Sequence, residues 1–186
     1  MKKFMFDDRF GLTDAVINGE KTMTRRMIPA SVVSLALKNA AESYVKRGCH
    51  IEDLEFLIRD EIVNSCGTRV GEVVAVAQRY EQFMRYPFEY RAMPAWNNKM
   101  FVKAELMPHQ IEITYIHVEH IQAIFDDECM KEGVKLGCNG SFYIEGIDRT
   151  FDSPRRAFKA LFNKIAGAYA WDHNPLVLVY NFKLIS

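Results

Sequence analysis

Hydrophobic positions alternate with polar ones at two distinct periods along the chain. Leu12, Ala15 and Val16 have the i, i+3, i+4 spacing of a short helix over residues 9–18. Gly19 stops it, because glycine enters the left-handed region without steric cost. Ser31 is placed to cap a helix running to about Arg47, with Val33, Leu37, Ala40 and Tyr44 on one face and Gly48 closing it. A further helix, from about Glu52 to Asn64, gathers Leu54, Leu57, Ile58 and Ile62 on one side and Glu52, Asp53, Glu55, Asp60 and Glu61 on the other. Ser153-Pro154 reads as a helix start, with an N-cap serine and proline at the first helical position. That helix is expected to bury Phe158, Leu161, Phe162 and Ile165 and to show Arg155, Arg156, Lys159 and Lys164 to solvent.

Strands are expected at Phe4–Phe6, along the threonine-containing stretch from Glu20 to Ile28, at Val73–Tyr80, Lys99–Leu106, Ile111–Val118 and Leu176–Ile185. In Ile111–Val118, two-residue alternation places Ile111, Ile113 and Tyr115 on one face. The last strand is apolar on both faces at first and reads as central. Asp126 begins a short acidic helix ending near Glu132-Gly133, and residues 134–152 read as loop with one strand near Phe142. Residues 83–97 form a long aromatic loop. The pattern predicts a single α+β domain over residues 1–186, a mixed sheet or small barrel with flanking helices and an αα segment at 31–66 between two β regions.

Composition narrows the class. With 49% apolar and 26% charged residues the chain is that of a globular protein. Its 24 basic residues equal its 24 acidic ones, which removes the simplest case for non-specific nucleic-acid binding but leaves room for a local basic site. No apolar run approaches the roughly 18 residues needed to span a bilayer, and Asp7-Asp8 interrupts the N-terminus before any signal-like run develops. Four cysteines with no C-x-x-C pair read as reduced thiols, so the expected setting is cytoplasmic, without metal or other cofactor.

The densest polar cluster follows Gly19. Lys21, Thr22, Thr24, Arg25 and Arg26 put three cations and two hydroxyls within six residues. Arginine offers a planar donor fork, lysine a point charge and threonine a donor–acceptor hydroxyl, a set suited to anions or base edges. The same run also suits a solvated strand edge protected by charge. The segment Gly19-x-Lys21-x-x-Thr24-x-Arg26 resembles the Gly-x-Lys-x-x-Thr-x-Arg motif of the ASCH domains of the PUA-like superfamily, and Arg25 gives the Thr-Arg-Arg form of phage and prophage members. Further segments are similar in order: Met93-Pro94-Ala95-Trp96 with Ile111-Glu112-Ile113-Thr114, His120-Ile121-Gln122 with Glu132-Gly133, and Trp171-Asp172-x-Asn174-Pro175 with Val177, Val179, Tyr180 and Phe182. The αα segment and the aromatic loop are additions relative to minimal members.

The resemblance implies a small mixed PUA-like β-barrel with a cleft beside the glycine turn. It implies an RNA- or nucleotide-binding module, with Lys21, Thr24, Arg25 and Arg26 lining the cleft and Glu132 opposite. The alternative it implies is an amidohydrolase deacylating N4-acetylcytidine-type nucleosides, with Lys21, Thr24 and Glu132 as the catalytic set. Threonine needs a base to become a nucleophile, and a desolvated lysine among cations can serve. Three residues apart in a flat strand, however, Lys21 and Thr24 point to opposite faces, so the mechanism requires a turn between them. In the aromatic stretch, Tyr86, Tyr90 and Trp96 lie among five cations and two acids, the interleaving used for single-stranded nucleic acid. Trp171 and Asn174 are further ligand candidates, with packing and turn formation as their structural alternatives. A third reading is a protein-interaction module using the acidic αα face.

Overall fold

The computed structural model of the protein describes residues 1–47, 53–84 and 91–185. In chain order it contains β1 (Lys3–Phe4), a 3-10 turn (Asp8–Phe10), α1 (Leu12–Ile17), β2 (Met23–Met27), α2 (Ala30–Arg47), α3 (Asp53–Ser65), β3 (Val73–Val76) and α4 (Tyr80–Phe83). After 3-10 turns at Pro94–Trp96, Lys99–Phe101 and Ala104–Leu106 come β4 (Gln110–His120), α5 (Asp126–Lys131), β5 (Lys135–Leu136), β6 (Phe142–Tyr143), α6 (Pro154–Ala166) and β7 (Leu176–Leu184). The architecture is α+β. One mixed five-stranded sheet has the order β1-β3-β4-β7-β2, with β1 parallel to β3 and the other pairs antiparallel.

β7 is paired on both sides, to β4 and to β2, as its apolar sequence predicts. The sheet curls. Phe4 and Phe6, at one end of the strand order, pack against Tyr180 and Phe182 with ring centroids 5.2 and 5.7 Å apart. Arg26 of β2, at the other end, lays its guanidinium 4.0 Å from the Phe4 ring and donates to the Met5 carbonyl at 3.3 Å. The two outermost strands approach each other, yet no hydrogen-bonded ladder joins them among the described residues.

α6 starts as expected, with the Ser153 side chain accepting from the Arg156 amide and Pro154 in the first turn. Six sequence expectations are corrected. Ile165 is half-exposed, and Arg155 turns inward, bonding the carbonyls of Gln122 and Ile124. In β4 the register shifts between Ile113 and Tyr115. This bulge inserts one residue into the alternation, so Tyr115 faces out and Ile116 takes the core position. Lys99–Leu106 is two 3-10 turns rather than a strand. Its carbonyls find partners without a ladder, since the Lys3 ammonium collects those of Lys99, Met100 and Val102. Ser31 lies inside α2, because the Pro29 carbonyl already accepts from the amides of Val32 and Val33. The helix buries Ala36 and Ala40 and leaves Leu37 exposed.

The loop after β6 clasps the N-terminal turn. Gly146 has φ +75°, and a Cβ there would fall 2.0 Å from the Arg9 carbonyl oxygen. Gly146→Ala is therefore expected to lose about 2–4 kcal/mol from positive-φ strain and overpacking together. Gly140→Ala, with φ +78° and nothing within 4 Å, is expected to lose about 1 kcal/mol. Urea unfolding of the two variants checks the difference.

Candidate functional site

The turn between α1 and β2 builds the site. Gly19 reverses the chain at φ +75°, and the Lys21 amide donates back to the Ala15 carbonyl at 2.9 Å. β2 begins only at Met23, so the strand alternation that would separate Lys21 from Thr24 does not yet apply at Lys21. The Thr22 amide is held by the Lys131 carbonyl at 3.0 Å, which docks the turn on the end of α5. Glu132 stands at that end. Gly133 follows at φ +105°, where a Cβ would meet the Leu12 side chain at 2.9 Å, so glycine is needed for the chain to leave this point.

Lys21 and Glu132, 111 residues apart, form a buried ion pair of 2.6 Å. Their side chains are 1% and 4% exposed. The ammonium also donates to the carbonyls of Met23 at 2.7 Å and of Glu132 at 2.8 Å, so all three of its donors are used. Burial draws the Lys21 pKa below the ordinary lysine value. The Glu132 charge opposes this, and Arg25 and Arg26 add to it.

Arg25 is the hub of a second, larger network. It donates to Glu119 at 2.7 Å, to Glu128 at 2.7 Å and to Glu132 at 3.2 Å, and its side chain is wholly buried. Burial works against its charge, but Glu132, Glu119 and Glu128 together hold its pKa above the usual arginine value. Glu119 moves the other way. Burial raises its pKa, and His117 and Arg25 more than offset that, leaving it below the ordinary carboxylate range.

These groups border a cleft of about 380 Å³ in the seam between β2, the segment after β1 and α6. Lys21, Thr24, Arg25, Arg26 and Glu132 supply its polar side. Phe158, Leu161, Phe162 and Ile165 of α6 form an apolar wall, and Met5 and Met27 lie half-exposed at the rim. Thr24 is buried, and its hydroxyl has no hydrogen-bond partner among the described residues. No described residue of α2 or α3 lines the cleft, so the αα segment leaves it open. Cys129, close by on α5, is not a rival nucleophile: burial and Asp126 push its thiol up to about 12.

Among the described residues, the other candidates, Trp96, Trp171 and Asn174, do not line this cleft. Trp171 is buried against Phe158 and Phe162, with centroids 6.1 and 6.5 Å away, under the Arg155 guanidinium. Asn174 makes the turn before Pro175 at φ 45°, its side chain accepting from the Gln122 amide at 3.0 Å. Trp96 packs on a satellite cluster with Arg91 over its ring and lines no part of the cleft. Tyr86 and Tyr90, and the Cys49-His50 pair, lie outside the described residues. The sequence pointed to neither Glu119 nor Glu128, the partners of Arg25, nor to the apolar wall of α6 as part of the site. No helix among the described residues is long and apolar enough to cross a membrane. Comparison of the chain with protein-family models, curated proteins and solved structures finds no match.

Proposed function

We propose that the protein is a PUA-like domain of the ASCH type that binds a pyrimidine nucleoside in this cleft and hydrolyses an acyl group from its N4 amine. The observation that carries the reading is the Lys21–Glu132 pair, 2.6 Å long and buried, bordering the same cleft as the Thr24 hydroxyl, which has no hydrogen-bond partner among the described residues. A cleft of about 380 Å³ with a mainly apolar lining and a few convergent polar groups suits a small planar ligand. It suits RNA less. Arg25, one of the cations expected to line the cleft, is saturated by three carboxylates.

Transfer of the Lys21 proton to Glu132 along their 2.6 Å hydrogen bond gives the Lys21 amine, the form that burial favours for this lysine. The amine then takes the Thr24 proton as Oγ1 attacks the acyl carbon, and Glu132 gives its proton to the departing N4 as the C–N bond breaks. Water next attacks the acyl-threonine ester. Its proton goes to Glu132, the Lys21 ammonium returns a proton to Oγ1, and the resting state is restored. A second reading, binding without turnover, is favoured by the three acceptors around the Lys21 ammonium, which hold its proton. Incubation with N4-acetylcytidine, followed by absorbance, separates them. Turnover is expected, with loss in Lys21→Met. Tight binding with no turnover supports the second reading, and neither binding nor turnover overturns both.

A further inference from the structure

The wall that β2 presents to the cleft is main chain. In an antiparallel ladder, residues alternate between those whose N–H and C=O bond the partner strand and those whose groups point away. The Phe182 amide donates to the Thr22 carbonyl at 2.9 Å. With Thr24 opposite Tyr180 and Arg26 opposite Leu178, parity assigns the Thr22 carbonyl, Thr24 and Arg26 to the ladder with β7. Met23, Arg25 and Met27 therefore turn their N–H and C=O groups outward. The Met23 carbonyl agrees, since it is taken by the Lys21 ammonium and not by β7.

β2 ends the strand order, so no further strand covers this edge among the described residues. The Arg25 N–H and C=O have no partner there outside the ladder. Accessibility points the same way. Arg25 as a residue is 7% exposed although its side chain is 0% exposed. What it shows to the cleft it lines is thus backbone. A strand edge left unpaired is normally blunted or covered, because it is a ready template for hydrogen bonding. At Arg25 this edge is neither paired nor capped among the described residues, and it forms one side of a hollow of small-molecule size.

We propose that the outward N–H and C=O of Arg25 read the ligand as a short added rung on β2, selecting a planar heterocycle that offers an acceptor and a donor side by side along one edge. This rests on the nucleoside reading above and deepens it. The N3 acceptor and N4–H donor of a cytosine-type base form such an edge, N3 receiving from the Arg25 amide and N4–H donating to its carbonyl. An N4-acylated cytosine keeps both groups. The wholly buried Arg25 guanidinium, fastened by three carboxylates, fixes the strand at this residue, so the rung is pre-organised rather than formed on binding.

The test uses the full chain and three probes: cytidine, 3-deazacytidine, which lacks the N3 acceptor, and N4,N4-dimethylcytidine, which lacks the N4–H donor. Affinities are measured by calorimetry, and exchange of the Arg25 amide hydrogen is followed by NMR. The expected result is that each altered base binds roughly 10- to 100-fold more weakly, the loss that follows when a buried polar group is left unsatisfied. Cytidine is also expected to slow Arg25 amide exchange. Equal affinities for the three probes, with Arg25 exchange unchanged, overturn the rung and leave the nucleoside site standing. Absence of cytidine binding, together with no turnover of N4-acetylcytidine, overturns the nucleoside reading and the rung with it.

Discussion

Arg25→Met is expected to lose about 3–5 kcal/mol of folding stability, read as a fall in the urea midpoint. Breaking a buried ionic cluster by removing one partner strands the charges that remain, and that cost exceeds what the intact cluster contributed. The stranded groups are Glu119, Glu128 and Glu132, whose side chains are 16%, 18% and 4% exposed. Lys21 is left as the buried cation among them, and it reaches only Glu132. Arg25→Lys is expected to recover less than half of the loss, because a point charge cannot replace a planar fork directed at three carboxylates. The variant should also change the response to acid. Glu119 is held below its ordinary pKa in the folded protein by His117 and Arg25, against the raising effect of burial. Its contribution to stability is present above the unfolded carboxylate pKa and is lost as pH falls through the depressed folded one. Without Arg25 that depression shrinks. The mutant's stability should therefore vary less with pH over this acidic window, while remaining below that of the native protein.

The cluster also shows what could be read from residues alone. Lys21, Thr24, Arg25 and Arg26 were legible because they are close in sequence and follow a glycine stop. Their division of labour was not. Arg25 resembles a ligand-binding cation in one dimension and becomes a strand anchor only when β4 and α5 bring Glu119 and Glu128 to it. These contacts span 94 and 103 residues, and no local period encodes them. The helices were legible where an apolar stripe and a cap agree, as in α6. Lys99–Leu106 reads as a strand in isolation, because nothing in its own residues shows that the Lys3 ammonium, 96 or more residues away, takes its carbonyls. Tyr115 misled because a single inserted residue reverses every face beyond it. The cleft itself arises where two strands distant in the sheet order approach without pairing, a property of sheet curvature that alternation along one strand does not record.

Thr24→Val is expected to abolish deacylation of N4-acetylcytidine, by about 10³-fold or more in kcat, while the affinity for cytidine stays within about threefold. Valine keeps the β-branched shape that β2 accepts and removes only the hydroxyl. Because that hydroxyl has no hydrogen-bond partner among the described residues, its loss leaves no buried group stranded. The fold should therefore tolerate Thr24→Val far better than Arg25→Met, and a thermal melt close to the native one makes the activity loss interpretable. Thr24→Ser, which restores the nucleophile, is expected to recover part of the rate. Mass spectrometry of the native protein quenched during incubation with N4-acetylcytidine should find an acetyl group on the peptide containing Thr24, and none in Thr24→Val. If Thr24→Val retains more than a tenth of native kcat, threonine is not the nucleophile. The Lys21–Glu132 pair would then have to act on water directly, admitted where the cleft is bordered by the half-exposed Met5 and Met27.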